Sequence, residues 1–258
     1  MKNSSFEVCP LASGSKGNSL FVGCLDNGIL IDAGLSGKET QRRLAARDID
    51  PERLTAIVIT HEHSDHIKGA GVLSRRFDIP VYITKKTYQA CSGLGKIEDL
   101  CFFDCGKAFN IDQVRITPFS ISHDAQDPVG LTLEYRDQKI GVATDLGIVT
   151  NLVKEHLKNS NLLYLESNHD LEMLLNGSYP WHLKQRIKGR TGHLSNTDAG
   201  NLVKELKTDR LKHVILAHLS EENNCPQKAA VEVSKSLNAS GISLHVAQPH
   251  QAGEFIRI

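Results

Sequence analysis

Residues 61–66 read His-Glu-His-Ser-Asp-His, so His61, His63, Asp65 and His66 fall within six positions directly after an apolar run, Ala56-Ile57-Val58-Ile59. In an extended segment, side chains two apart point the same way, and His61 and His63 can converge on one point. If the chain then tightens into a turn, Asp65 and His66 swing toward a second point close by. Imidazoles with a carboxylate form a donor set for zinc, iron or manganese. The bland alternative is a solvated loop that happens to be rich in histidine. Three histidines and an aspartate at this spacing, at a strand end, weigh against it. Taken singly, His123, Asp145 and His218 are weaker signals, since each could be an ordinary surface, core or turn residue.

These groups need a scaffold, and the rest of the chain supplies one. Strands are expected over 6–11, 20–22, 28–31, 56–59, 81–84, 114–117, 131–135, 140–143, 162–165 and 214–217, with a final strand pair near 244–246 and 254–258. Asp26-Asn27-Gly28 is a hairpin turn, and Ser13-Gly14-Ser15-Lys16-Gly17-Asn18 is a loop. Helices are expected over 40–47, 148–158, 196–207 and 227–237, with helical segments near 171–175 and 181–187. Ser195 or Asn196 caps the third of them. Strands mixed with helices predict an α/β fold of two sheets, each covered by helices on its outer face. Ile29-Leu30-Ile31-Asp32-Ala33-Gly34 is echoed by Ile140-Gly141-Val142-Ala143-Thr144-Asp145-Leu146-Gly147. Common strand-end chemistry and internal duplication explain that echo equally well.

At 258 residues the chain can bury one large core or two tightly joined halves, and 40% hydrophobic with 23% charged residues is ordinary for a globular protein. Thirty basic and thirty acidic side chains cancel, so any polyanion site must be a local patch. The six cysteines form no CxxC pair, and most read as small buried hydrophobes. A redox role for Cys101 and Cys105 is the minor alternative. The N-terminal residues lack the apolar run of a secretory signal and no stretch approaches a membrane span, which leads us to expect a cytoplasmic protein with no membrane partner.

His61, His63, Asp65 and His66 make up the HxHxDH signature of the metallo-β-lactamase superfamily, which this chain resembles over its whole length. The resemblance implies a four-layer αββα sandwich forming a single domain over 1–258. It also implies that Asp32 buttresses the histidine loop without being a ligand. By the same resemblance, His61, His63, His123 and Asp145 hold one divalent ion, while Asp65, His66, His218 and Asp145 hold another. Two ions roughly 4 Å apart can share a water, lower its pKa to near 7 and neutralise charge that develops on an electrophile. Asp65 can also accept a proton from the nucleophile. Zinc and manganese both suit such a site.

Glu166 in Leu165-Glu166-Ser167-Asn168-His169-Asp170 and His193 in Gly192-His193-Leu194-Ser195-Asn196 resemble the phosphodiesterase branch, including tRNase Z. There a glutamate holds a histidine that protonates the leaving oxygen, a reasonable task for an imidazolium near neutral pH. A loop histidine and a strand-end charge are the bland readings. Asn168-His169-Asp170, Tyr179-Pro180-Trp181, Gln185-Arg186-Ile187, the segment around His193, and His218-Leu219-Ser220-Glu221-Glu222-Asn223-Asn224 are similar to the YycJ (WalJ) type of 5′→3′ DNA exonuclease. The interval between Asp145 and His193 is too short for a β-CASP insertion, and no long glycine-rich arm of the tRNase Z kind is present.

The resemblance therefore implies a dinuclear metallo-phosphodiesterase acting on nucleic acid, DNA first. A cyclic phosphodiesterase or a glyoxalase II-like thioesterase is the enzymatic rival, and a non-catalytic metal-binding module is the rival from another class. Candidates for substrate contact are Ser15, Asn18, His169, Arg186 and Ser195. Lys184, Arg186, Lys188 and Arg190 form either a phosphate-binding strip or a solvated helix face. Trp181 reads as a core residue, with base stacking as the alternative.

Overall fold

The computed structural model describes residues 6–237 and 241–258. Residues 1–5, on which the expectation of a cytoplasmic protein partly rests, lie outside them. Among the described residues no helix is long and apolar enough to cross a membrane.

The first sheet comprises β1 (Phe6–Ala12), β2 (Ser19–Cys24), β3 (Asn27–Ile31), β4 (Leu54–Val58), β5 (Val81–Thr84) and β6 (Leu100–Phe103). The second comprises β7 (Phe109–Ile111), β8 (Val114–Ser120), β9 (Val129–Tyr135), β10 (Gln138–Ala143), β11 (Leu162–Glu166), β12 (His213–Ala217) and β13 (Ser243–Val246). A last strand, β14 (Ile256–Arg257), returns to the free edge of β1. The orders are β14-β1-β2-β3-β4-β5-β6 and β13-β12-β11-β10-β9-β8-β7. In each sheet an antiparallel meander, β1-β2-β3 or β8-β9-β10, runs on into parallel strands, β4-β5-β6 or β11-β12-β13. The echo between Asp32 and Asp145 therefore belongs to a layout that both half-chains repeat. Each aspartate follows the last strand of its meander.

The helices are α1 (Gly37–Ala45), α2 (Ser64–Ile67), α3 (Ala70–Phe77), α4 (Lys85–Ala90), α5 (Asn151–Leu157), α6 (Leu171–Asn176), α7 (Trp181–Lys188), α8 (Asn196–Leu206) and α9 (Pro226–Leu237). Burial divides into three cores, which establishes the αββα layering. Val22, Ile31, Val58, Leu131, Val142 and Tyr164 lie in the core shared by the sheets. Leu30, Ile57 and Ile59 pack with Leu44 of α1 and Leu73 of α3. Leu163 and Leu165 pack with Val153 of α5, Val203 of α8 and Val233 of α9. Alternate residues of one strand serve opposite cores, as Ile57 and Val58 do. That explains why strands buried on both faces read as unbroken apolar runs.

Some boundaries differ from expectation. The helix expected over 40–47 begins at Gly37, because Ser36 accepts a hydrogen bond from the backbone of Glu39 and caps the turn. The helix expected over 148–158 begins at Asn151 behind its cap, Thr150. The two final strands are not partners, since β13 extends one sheet and β14 the other. Strands β6 and β7 and helices α2, α3 and α4 were not foreseen; all are short, with little periodicity to detect. Of the cysteines, Cys9 and Cys24 are buried and the other four half-buried, and none is paired. Trp181 is no core residue, because the first turn of α7 leaves it 66% exposed.

Candidate metal centre

Strands β3 and β4 run parallel, as do β10, β11 and β12. Their C-terminal ends therefore share an edge, and the ionisable groups arrive there. Asp32 follows β3, His61 follows β4, Asp145 follows β10, Glu166 ends β11 and His218 follows β12. Asp32, Asp145 and His218 each have left-handed backbone, at φ +60°, +58° and +54°. Such conformations cost on the order of 1–3 kcal/mol each and persist where the surroundings hold them. At His218 the hold is visible: its N–H donates to Ser13 Oγ at 2.6 Å and its carbonyl accepts from Asn168 Nδ2 at 2.8 Å.

The histidine loop is extended through His63 and then tightens into α2, whose N-cap is His63 itself. One group of donors is His61, His63 and His123, with ligand atoms all within 4.8 Å of one another. A second is Asp65, His66 and His218, equally close. Asp145 lies between them: Oδ2 is 3.4 Å from His66 Nε2, and Oδ1 is 3.5 Å from His218 Nε2 and 3.7 Å from His123 Nε2. His61 Nε2, Asp145 Oδ2 and His218 Nε2 are buried and have no hydrogen-bond partner among the described residues. Stranding three such atoms side by side is costly unless a cation meets them. The donor set, imidazole nitrogen with carboxylate oxygen, fits a divalent metal.

Behind the donors lies a layer that fixes which nitrogen faces inward. Asp32 accepts from Thr60 N–H at 2.8 Å, from Thr60 Oγ1 at 2.8 Å and from His66 Nδ1 at 2.7 Å. With its only proton given to Asp32, the Thr60 hydroxyl can only accept from His61 Nδ1, 3.0 Å away. One carboxylate thus orients two imidazoles, His66 directly and His61 through a hydroxyl, and both present Nε2 to the centre. Burial pushes His61 well below its ordinary value, with the neighbouring imidazoles adding to the fall. Burial opposes protonation of His66 too, but the Asp32 and Asp145 carboxylates outweigh it and raise that imidazole to about 9.

Glu166 is fully buried. Oε1 accepts from His193 Nδ1 at 2.9 Å and His218 Nδ1 at 2.8 Å, while Oε2 accepts from Leu146 N–H at 2.8 Å and Leu194 N–H at 2.9 Å. Four donors fill a carboxylate's acceptor sites. Although Glu166 lies within ligand distance of Asp145, His193 and His218, it is placed to hold the two imidazoles. Burial would raise its carboxyl, yet the charges and hydrogen bonds of His193 and His218 hold it well below the usual carboxylate range. His193 keeps Nε2 unengaged and borders a cleft of about 190 Å³ that Ser15, Tyr179, Leu183, Arg186 and Ile187 also line.

The substrate-contact candidates divide. Ser15 is exposed and lines that cleft, as does Arg186, whose guanidinium meets Asp124 Oδ2 at 2.6 and 2.7 Å. The other three lie buried. Asn18 is buried; its Oδ1 accepts from Gly14 N–H and its Nδ2 donates to Asp65 Oδ2 at 3.1 Å, so it braces the centre from within. Ser195 is buried as the N-cap of α8, accepting from Asp198 N–H and donating to its carboxylate. His169 is 1% exposed, its backbone bridged to Ser195, and burial lowers it to about 4. The basic strip also breaks up, because Lys184 is buried with Nζ donating to the carbonyls of Leu175 and Gly177. Thr60 was missed altogether. Its place before His61 was the available signal, but its role depends on Asp32, 28 residues away.

Comparison with known proteins extends these observations. A family model described as a β-lactamase superfamily domain matches residues 27–219. The chain is 40% identical to an exodeoxyribonuclease YycJ of Bacillus anthracis, over 91% of this chain and 90% of that one. It is 38% identical to an exodeoxyribonuclease WalJ of Streptococcus pneumoniae, over 95% and 93%. Among solved structures, the metallo-β-lactamase fold protein YhfI of Bacillus subtilis superposes with a TM-score of 0.78 at 16% identity, covering 99% of this chain and 100% of that one.

Proposed function

As the chain belongs to the metallo-β-lactamase superfamily and, within it, to the YycJ/WalJ type of metal-dependent phosphodiester hydrolase, we propose that it is a DNA exonuclease working from 5′ to 3′. The observation that carries this reading is the double use of Glu166. Its Oε1 joins His218, beside the metal donors, to His193, which faces the cleft. A thiolate leaves without help, whereas an alkoxide needs a proton, so a hydrolase of thioesters has no use for the pair.

His61, His63 and His123 would hold one divalent ion and Asp65, His66 and His218 another, with Asp145 placed between the two groups. Bound zinc or manganese supplies a nucleophile from water at neutral pH and neutralises the phosphate oxygens. Asp65 has a second task, accepting the proton that the attacking water gives up. Its place among the donors puts it beside that water: Oδ2 lies 3.5 Å from His66 Nε2 and 3.8 Å from His218 Nε2. His193 holds its Nδ1 proton toward Glu166, which leaves Nε2 to donate to the departing 3′ oxygen. Burial disfavours the imidazolium, but the Glu166 carboxylate outweighs this and keeps His193 above its ordinary value, so a protonated fraction persists at neutral pH. Six unpaired thiols fit work in a reducing cytoplasm.

End-labelled DNA and RNA, incubated with the purified protein and zinc or manganese in turn, test the reading. Mononucleotides released from the 5′ end of DNA are the expected result, and intact DNA under both metals overturns it. His193→Ala should slow cleavage of DNA by roughly 10²–10⁴-fold while sparing a nitrophenyl phosphodiester, whose leaving group departs without a proton. Equal loss on both removes the acid role.

A further inference from the structure

We propose that the cleft beside His193 receives the base of the nucleotide whose oxygen departs, laid against a wall formed by Tyr179, Leu183 and Ile187. This rests on the nuclease reading given above and adds to it a binding site for one half of the substrate.

The wall is apolar without serving the fold. Leu183 and Ile187 are four apart on α7 and lie on one face of it, and with Tyr179 they border the cleft. Among the described residues, none of the three joins the cores that hold the sheets and helices together. Half-buried aliphatic and aromatic side chains turned into a cleft are a surface on which a planar ring gains by stacking.

The position of this wall is fixed to His193 by the backbone. His193 N–H donates to the Ile187 carbonyl at 2.8 Å. At Gly192 a Cβ would stand 2.2 Å from that same oxygen, so only glycine lets the chain pass so closely. Lys184 Nζ, on the same helix, ties α7 to the end of α6 through the carbonyls of Leu175 and Gly177. A group resting on Leu183 and Ile187 is therefore held in register with the imidazole that protonates the leaving oxygen.

Charge excludes a phosphate as the occupant of the wall. Among the described residues Arg186 is the one Lys or Arg lining the cleft, and Asp124, which also lines it, already meets that guanidinium, Nε and Nη2 both reaching Oδ2. The cleft, about 190 Å³ in volume and open to solvent, has room for a base. Stacking on such a wall is sequence-tolerant because every base has a π-face, so the wall itself does not choose among the four bases.

The test compares a DNA oligonucleotide with two copies of it, one abasic at the 5′-terminal nucleotide, which carries the leaving oxygen, and one abasic at the nucleotide after it. With the metal-loaded wild type, the terminal abasic residue should lower kcat/KM by roughly ten- to a hundredfold, the scale of base stacking on side chains, and the second should matter far less. Tyr179→Ala and Leu183→Ala should lower kcat/KM on the ordinary oligonucleotide and shrink the terminal abasic penalty. Equal rates on all three substrates with wild type, or a penalty confined to the second position, overturn the proposal, and neither outcome depends on a variant folding. A penalty that persists undiminished in both variants also overturns it. Failure of the nuclease reading looks different, since no oligonucleotide would then be cut.

Discussion

Replacing Glu166 by glutamine preserves shape but removes the charge and half of the acceptor capacity. The carboxylate accepts from two imidazoles on one oxygen and from two backbone N–H groups on the other. With its oxygen toward the two backbone N–H groups, the amide keeps four bonds only if both imidazole Nδ1 atoms give up their protons to accept from the NH2, so two charge-assisted hydrogen bonds become neutral ones. Each such exchange costs roughly 1–1.5 kcal/mol, which puts the loss for metal-free Glu166→Gln at about 2–3 kcal/mol. Against a total stability of about 5–15 kcal/mol, that is a large fraction. Urea unfolding of the metal-free wild type and variant, followed by circular dichroism at neutral pH, measures it. A loss below about 1 kcal/mol would refute the four-bond arrangement. The substitution should also act on the chemistry. His193 is held above its ordinary value by this carboxylate against the pull of burial. Without it the imidazole falls, and the decline of kcat on DNA with rising pH should begin at lower pH than in the wild type. An unmoved alkaline limb would sever Glu166 from the acid step even if the stability loss were as large as expected.

Three further outcomes follow from the same geometry. Chelation should lower the Tm by roughly 5–10 °C relative to protein at a metal concentration a hundred times its Kd, because His61 Nε2, Asp145 Oδ2 and His218 Nε2 have no partner of their own; differential scanning fluorimetry unmoved by zinc or manganese would count against the site. Thr60→Val should weaken metal binding by roughly 10–100-fold in a chelator competition, with Thr60→Ser near wild type, since the hydroxyl carries the orientation of Asp32 to His61. Equal affinities would show that the relay is idle. Lys184→Ala should destabilise by about 2–3 kcal/mol, having lost two charge-assisted bonds to carbonyls, while exposed Lys188→Ala should stay within about 0.5 kcal/mol; chemical unfolding that ranks them the other way would be contrary evidence.

Much of the centre is legible along the chain because its chemistry is local. His61, His63, Asp65 and His66 sit in six consecutive positions, and an extended stretch entering a turn divides them between two points under any fold that provides it. The strands are readable for a similar reason: both faces are buried, so their apolar runs are unbroken. His123, Asp145 and His218 could be singled out only by their order behind that motif, since a lone histidine or aspartate has no periodicity. What only the tertiary structure decided is where hydrogen bonds go. Asn18, Ser195 and His169 have side chains suited to substrate and turn out to be enclosed, and Lys184 leaves the basic strip for two carbonyls. Thr60 gains its role from Asp32, and Glu166 holds both His193, 27 positions on, and His218, 52 positions on. Composition and spacing state which donors and acceptors exist. Burial removes water as their partner, and then the packing of distant strands determines which of them must satisfy one another.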